Sequence, residues 1–274
     1  MPLISSFLNF HTSALPACCN RPPSVILVCS ASSACLNWSS GPFSTPRARI
    51  AVYHGASPLL ELLLAEGAEV NAQGGEYGNA LQAASSRGYE AIVKLLLDEG
   101  AEVNAQGGEY SNALQAALSR GHEAIVKLLL DEGAEVNAQG GYFGNALQAA
   151  SNGGHEAIVK LLLDKGAEVN TQGGWYGNAL QAASEGGHEA IVKLLLAEGA
   201  EVNAQGGWYS NALRAASFGG YEAIVKLLLN KGAEVNAQSR YFGNALQAAS
   251  IGGHKAVVKL LLEKGAKVDA QGRI

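Results

Sequence analysis

The stretch NALQAASSRGYEAIVKLLLDEGAEVNAQGGEYS, Asn79 to Ser111, decides the fold because the chain repeats it. Asn71, Asn104, Asn137, Asn170, Asn203, Asn236 and then Asp269 recur at intervals of 33 residues. Units begun at Asn79 fall at 79–111, 112–144, 145–177, 178–210, 211–243 and 244–274, the last being two residues short. Residues 46–78 align as a degenerate copy, with Gly55, Leu62-Leu63-Leu64 and Gly67-Ala68-Glu69-Val70-Asn71 in register. A fixed period of this length marks an array in which each copy is one supersecondary element.

Within the unit, Asn79 is a favoured N-cap, and Gln82 three residues on can complete a capping box. The short first helix should stop at Gly88, since glycine takes the left-handed conformation at a helix end without a Cβ penalty. A second helix runs from about Tyr89 to Glu99 and ends at Gly100. Its polar residues Glu90, Lys94 and Asp98 are four apart and form one solvent stripe. Glu90 preceding Lys94 is the better order for an i,i+4 pair, contributing about 0.3 kcal/mol. The other faces are apolar, as befits a helix sandwiched between neighbours. Gly100 to Ser111 has turn chemistry with two adjacent glycines and reads as a protruding hairpin-like loop. A unit of this kind cannot bury its own apolar faces and must stack on its copies. The expected fold is an all-α repeat solenoid of stacked helix-turn-helix units.

These motifs resemble the ankyrin repeat. The family pattern T-P-L-H-x-A-A-x-x-G-H is matched by Asn145-Ala146-Leu147-Gln148-Ala149-Ala150 through Gly154-His155. Its I-V-x-L-L-L-x-x-G-A-x-V-N is matched by Ile158-Val159 through Val169-Asn170. The resemblance covers about 46–274. Asn replaces the usual cap Thr, Ala the Pro and Gln the His, and Gly-Gly with an aromatic replaces the Asp-x-x-Gly tip. This Gly-Asn-Ala-Leu-Gln-Ala-Ala-Ser variant is similar to arrays in fungal NTPase-linked receptor proteins. The resemblance implies protein recognition, with hairpin tips and the exposed side of the first helix forming a concave binding surface.

Composition narrows the function further. The chain has 274 residues and a net charge of −5. Three of its 19 basic residues (Arg21, Arg47 and Arg49) precede the first acid, Glu61, so the rest of the chain sets 24 acids against 16 bases. That balance excludes a nucleic-acid binder working by bulk positive charge. Apolar runs such as Ala91-Ile92-Val93 and Leu95-Leu96-Leu97 are split by lysine, and none nears the ~20 residues of a membrane span. The four cysteines (Cys18, Cys19, Cys29 and Cys35) all precede the array. The array therefore needs no disulfide framework, which fits an intracellular, cytoplasmic location.

Residues 1–45 lack helical or strand period and, with Pro46 at their border, hold six of the seven prolines. They read as a disordered or unrelated leader. Val25-Ile26-Leu27-Val28 with Cys29-Ser30-Ala31 has the outline of a secretory core and cleavage site, but the stretch before it is too long and Arg21 is its only charge. Asn37-Trp38-Ser39 is a glycosylation sequon that matters only in a secreted chain. Limited proteolysis should remove this leader and leave a stable core beginning between about Pro46 and Leu62. Protection of Val25–Leu36 in the intact protein would instead make the leader a cap on the first unit.

Sixteen of the 33 positions are identical in all six clear copies, and none is an acid, histidine, cysteine or serine. What repeats strictly is core, cap and turn, so no catalytic kit is expected. His122, His155, His188 and His254 share one place in their units. Stacked helices lie about 8–10 Å apart, too far for two imidazoles to share one zinc at ~2 Å each. Their expected role is structural. No phosphate loop, dinucleotide fingerprint or hydrolase motif occurs. No enzyme, cofactor, metal site or small-molecule substrate is expected.

The variation between copies falls on the expected exterior. The tips read Glu76-Tyr77, Glu109-Tyr110, Tyr142-Phe143, Trp175-Tyr176, Trp208-Tyr209 and Tyr241-Phe242. One position of the first helix reads Ser86, Ser119, Asn152, Glu185, Phe218 and Ile251. Arg214 replaces Gln once, and Ser239-Arg240 replaces one Gly-Gly. Exposed aromatics are typical interface anchors, so Tyr142, Trp175, Trp208 and Tyr241 are the expected partner contacts, with Arg214, Phe218, Arg240 and Ile251 beside them. The second aromatic of each tip is expected to pack on the next loop. Because the tips lie outside the stacked core, truncating them should leave folding little affected. The leading reading is a non-enzymatic scaffold that binds a protein or peptide. The alternative is a ligand-sensing fragment of a larger NTPase-linked receptor.

Overall fold

The computed structural model describes residues 52, 55–238 and 243–268, all within the unit Phe43–Ile274. The leader 1–45 and the tip residues Ser239, Arg240, Tyr241 and Phe242 lie outside the described residues. These contain thirteen helices and no strand. After α1 (Ser57–Ala65), helices come in pairs. The first helices are α2 (Ala80–Arg87), α4 (Ala113–Leu118), α6 (Ala146–Gly153), α8 (Ala179–Gly186), α10 (Ala212–Gly219) and α12 (Ala245–Ile251). The second helices are α3 (Glu90–Asp98), α5 (Glu123–Asp131), α7 (Glu156–Asp164), α9 (Glu189–Ala197), α11 (Glu222–Asn230) and α13 (Lys255–Glu263).

Local signals set each boundary. The Asn79 side chain accepts from the Gln82 amide at 2.8 Å, and Gln82 Oε1 accepts from the Asn79 amide at 3.0 Å, closing the capping box. Asn178–Gln181 and Asn244–Gln247 form the same box. Gly88 ends α2 at φ +79°, the left-handed conformation that glycine adopts most readily. On the second helices, Glu90–Lys94, Glu123–Lys127, Glu156–Lys160, Glu189–Lys193 and Glu222–Lys226 are exposed ion pairs.

Burial comes from neighbours. The first helices bury alanines (Ala83, Ala84, Ala116, Ala117, Ala149 and Ala150 among them), small enough for adjacent backbones to approach closely. The second helices bury Val and Leu in every copy, with Ile as well in the first five, and Leu96, Leu129, Leu162, Leu195 and Leu228 are wholly enclosed. Leu262 and Val268 in the last repeat are exposed, whereas Leu229 and Val235 one repeat earlier are partly buried against the core. An end copy lacks one of the neighbours that an inner copy has, as expected where each repeat contacts only its neighbours.

Two polar ladders hold the junctions. The Gln82 amide nitrogen donates to the carbonyls of Ala105 and Ser111, and Gln115, Gln148 and Gln181 reach the equivalent loops. Asn71 donates to the Gly100 carbonyl at 3.1 Å and accepts from the Glu102 amide at 2.8 Å. Asn104, Asn137, Asn170, Asn203 and Asn236 make the same two bonds to the repeat that follows each. The period that reveals the array in the sequence is thus also the bond that joins it.

Candidate functional site: the aromatic tips

Each of the five described tips is pinched by an antiparallel bridge, as between Gly173 and Gly177, whose amide and carbonyl groups bond at 2.8 and 3.2 Å. Gly174, at φ +61°, lies so near the preceding tip that a Cβ there would sit 2.4 Å from the Phe143 carbonyl carbon. That absence of a side chain lets consecutive tips touch. The amide of Glu109 donates to the Glu76 carbonyl, Tyr142 to Glu109, Trp175 to Tyr142 and Trp208 to Trp175. One backbone bond per step therefore keeps the tips in register, and the aromatic side chains stack as a result.

Two ladders of rings follow. The inner one runs Tyr77–Tyr110–Phe143–Tyr176, with centroids 6.2, 6.4 and 6.0 Å apart and planes within 23°. The outer one runs Tyr142–Trp175–Trp208, at 5.9 and 4.8 Å and within 17°. Tyr142 crosses between them, edge-on to Phe143 and Tyr176. The outer rings remain 44, 40 and 38% exposed, respectively. The structure thus brings Tyr142, Trp175 and Trp208 into one surface. Phe218 touches Tyr209 at 5.4 Å between ring centroids, and Ile251 is 64% exposed at the end of α12. Tyr241 and Arg240 are outside the described residues.

Arg214 is a correction to the sequence reading. It is fully buried, its Nε donating to the Tyr209 carbonyl at 2.6 Å and its Nη1 to Gly243 at 3.0 Å. It occupies the place of the ladder glutamines, whose side chains run inward across the helix N-terminus. Burial pulls its guanidinium down to about 10, leaving it charged at neutral pH, and Nη2 is enclosed without a hydrogen bond. It therefore belongs to the repeat junction and presents nothing to a partner. Arg214→Gln should restore the ladder and raise stability by about 1 kcal/mol, because a buried, half-satisfied cation costs more than a satisfied amide. A melting temperature that falls would refute this.

The histidines serve the junctions. His122 bonds the Ser86 carbonyl, His188 that of Asn152 and His254 that of Phe218, each at the end of the preceding first helix. Helix ends leave carbonyls without intrahelical partners, and these imidazoles supply them. His155 is held below its ordinary range by burial and then by His188 and His122. Among the described residues no group of three or more His, Cys, Asp or Glu could hold a metal ion. None of the described helices is long and apolar enough to cross a membrane.

The family model for ankyrin repeats matches residues 49–140, 141–206 and 182–272. The chain belongs to the ankyrin-repeat family. Its fold is similar to the crystal structure of the human ASB11 ankyrin repeat domain, with a TM-score of 0.67 and 26% identity over 83% of this chain and 99% of that one. The comparison with curated proteins gives no match. Ankyrin repeats are generally protein–protein interaction modules, and proteins built from them are typically non-enzymatic.

Glu185 and the inner tyrosines fall outside the sequence-based site. Glu185 ends α8 at the varied position, half-buried, with burial pushing its carboxyl up to about 7. Tyr176 is raised above the ordinary phenol range by burial, by its hydrogen bond with Tyr142 and by the charge of Glu185. Tyr209 is raised to about 12, chiefly by burial and then by Glu185. The one signal available in the sequence was that Glu185 is the sole acid among six residues at its position.

Proposed function

We propose that this ankyrin array is a non-enzymatic interaction scaffold that holds a protein or peptide on its hairpin tips and concave first-helix face. The observation that carries the reading is the outer ladder. Three large aromatic rings in one register, each about two-fifths exposed, make an apolar strip. Contiguous exposed apolar surface of this kind marks interaction sites. The units 112–144, 145–177 and 178–210 supply the anchors, and Phe218 and Ile251 extend the strip along the helix ends. Glu76 and Glu109 on the first two tips suit a polar rim. The absence of cysteine from the array suits work in the reducing cytoplasm.

The test is a pull-down from lysate with wild type and the W175A/W208A variant, at concentrations where both are folded. Wild type should retain partners that the variant releases. Recovery of every partner at undiminished affinity by the variant would place the binding surface elsewhere.

A further inference from the structure

Charge at the ends of the first helices, beside the inner ring ladder, differs from copy to copy. In the first clear repeat the guanidinium carbon of Arg87, at the end of α2, lies 5.9 Å from the centre of the Tyr77 ring. This is the range in which an aromatic face attracts a cation. The equivalents three repeats on are Gly186 and Tyr176, so the position that Arg87 holds offers Tyr176 no side chain. Beside the glycine stands Glu185, whose charge acts on both Tyr176 and Tyr209. Its Oε2 is shut off from solvent and has no hydrogen-bond partner.

A desolvated carboxylate oxygen without a partner is costly, and the cost disappears when a charged donor arrives. The neighbours do not supply one. Asn152 and Phe218 hold the matching positions of α6 and α10 and carry no charge. Arg214 of α10 donates from Nε and Nη1 to the carbonyls of Tyr209 and Gly243, and burial, with no contribution from Arg214, raises the Glu185 carboxyl. His188 is committed to the Asn152 carbonyl, and Glu189 and Lys193 of α9 pair with each other on the outer face. A divalent metal would need several oxygen ligands, and among the described residues no group of three ligating side chains exists. A basic side chain needs only one carboxylate and a ring to lie against.

We propose that Glu185, Tyr176 and Tyr209 form a recess that receives an arginine or lysine side chain from the bound partner, in the place where Arg87 lies over Tyr77 within the chain. This rests on the concave face being the interface and names the chemistry of what docks there. The cation would release the proton that burial retains on Glu185, so capture strengthens as pH rises from 6 to 8. Tyr176 and Tyr209, whose phenols burial raises, stay neutral across that window.

The probes are N-acetyl-arginine amide and its citrulline counterpart, which has similar shape without the charge. Binding is followed by NMR of protein carrying 13C at the glutamate carboxyl carbons. At pH 8 the arginine amide should bind at least tenfold more tightly than the citrulline amide and move the Glu185 titration midpoint to lower pH. E185Q and E185S should erase the preference, serine being the residue that the first two repeats carry at this position. Without ligand, E185Q should melt higher than wild type at pH 8 and alike at pH 5. A folded pKa above the unfolded one withdraws stability as pH rises through the window between them. Equal binding of the two amides, or an arginine preference that survives E185Q, overturns the proposal. The amide titration reads the recess alone and the pull-down with W175A/W208A reads the outer ladder, so failure of the recess and failure of the outer ladder give different results.

Discussion

Leu129→Ala should lower the stability of the array by about 2–5 kcal/mol, the range for removing an enclosed leucine. Leu129 lies in α5 between the second helices on either side and has no solvent exposure. Part of the loss is transfer free energy and part is the cavity left behind, which grows when the surroundings cannot collapse. Here they are restrained, because Asn104 and Asn137 tie the flanking loops to the next repeat. A truncation in mid-array also loosens the contacts with both neighbours, so the unfolding transition should broaden as well as shift. Glu156→Gln is the contrast. It removes an exposed ion pair with Lys160 and should change stability by less than ~0.5 kcal/mol. Comparable shifts in denaturant midpoint from the two substitutions would sink the assignment of buried and solvent faces.

The second large effect is on binding. Trp175→Ala and Trp208→Ala should each weaken a partner on the aromatic edge by about 2 kcal/mol or more, roughly thirtyfold in Kd. The two rings are stacked at 4.8 Å, so they form one continuous surface and their losses will not add independently. Stacking also revises the expectation that tip substitutions leave folding nearly untouched. An aromatic pair contributes about 0.5–1.5 kcal/mol beyond simple burial, so each Trp→Ala should lower stability by an amount of that order. The backbone bonds from Trp175 to Tyr142 and from Trp208 to Trp175 do not depend on the rings and keep the tips in register. Calorimetric titration with a purified partner, alongside denaturant melts of the same proteins, separates the two effects. A loss of binding no larger than the loss of stability would reduce the ladder to an internal brace.

Much of this was legible in the sequence because repetition turns local signals into long-range ones. Asn79 with Gln82 specifies a helix start, Gly88 a stop, and Glu90, Lys94 and Asp98 an outward stripe. Their recurrence every 33 residues fixes how the units stack. What escaped depends on side-chain direction. Arg214 looked like a surface change because arginine is seldom buried, yet the third residue of these first helices points back across the N-terminus into the junction. The aromatic spacing placed rings on every tip but carried no information on whether successive planes would face one another. That follows from the backbone bonds between tips, which the glycine pairs permit. Glu185 occupies a position that varies freely, a usual mark of exposure. The groups its charge acts on, Tyr176 and Tyr209, both lie away from it in the chain.

The asparagine clamps give the array a property of a different kind. Each one bonds two backbone groups of the next copy, the carbonyl of a helix-ending glycine and the amide two residues beyond it. Neither partner depends on which copy follows. If residues 145–177 were deleted by a crossover between neighbouring copies in the gene, Asn137 would meet the Gly199 carbonyl and the Glu201 amide, groups that Asn170 now holds. The new seam would be chemically the same as the old one. Length and order of the array can therefore change by whole units without any junction having to be reinvented, while every such exchange reshuffles which tips stand side by side.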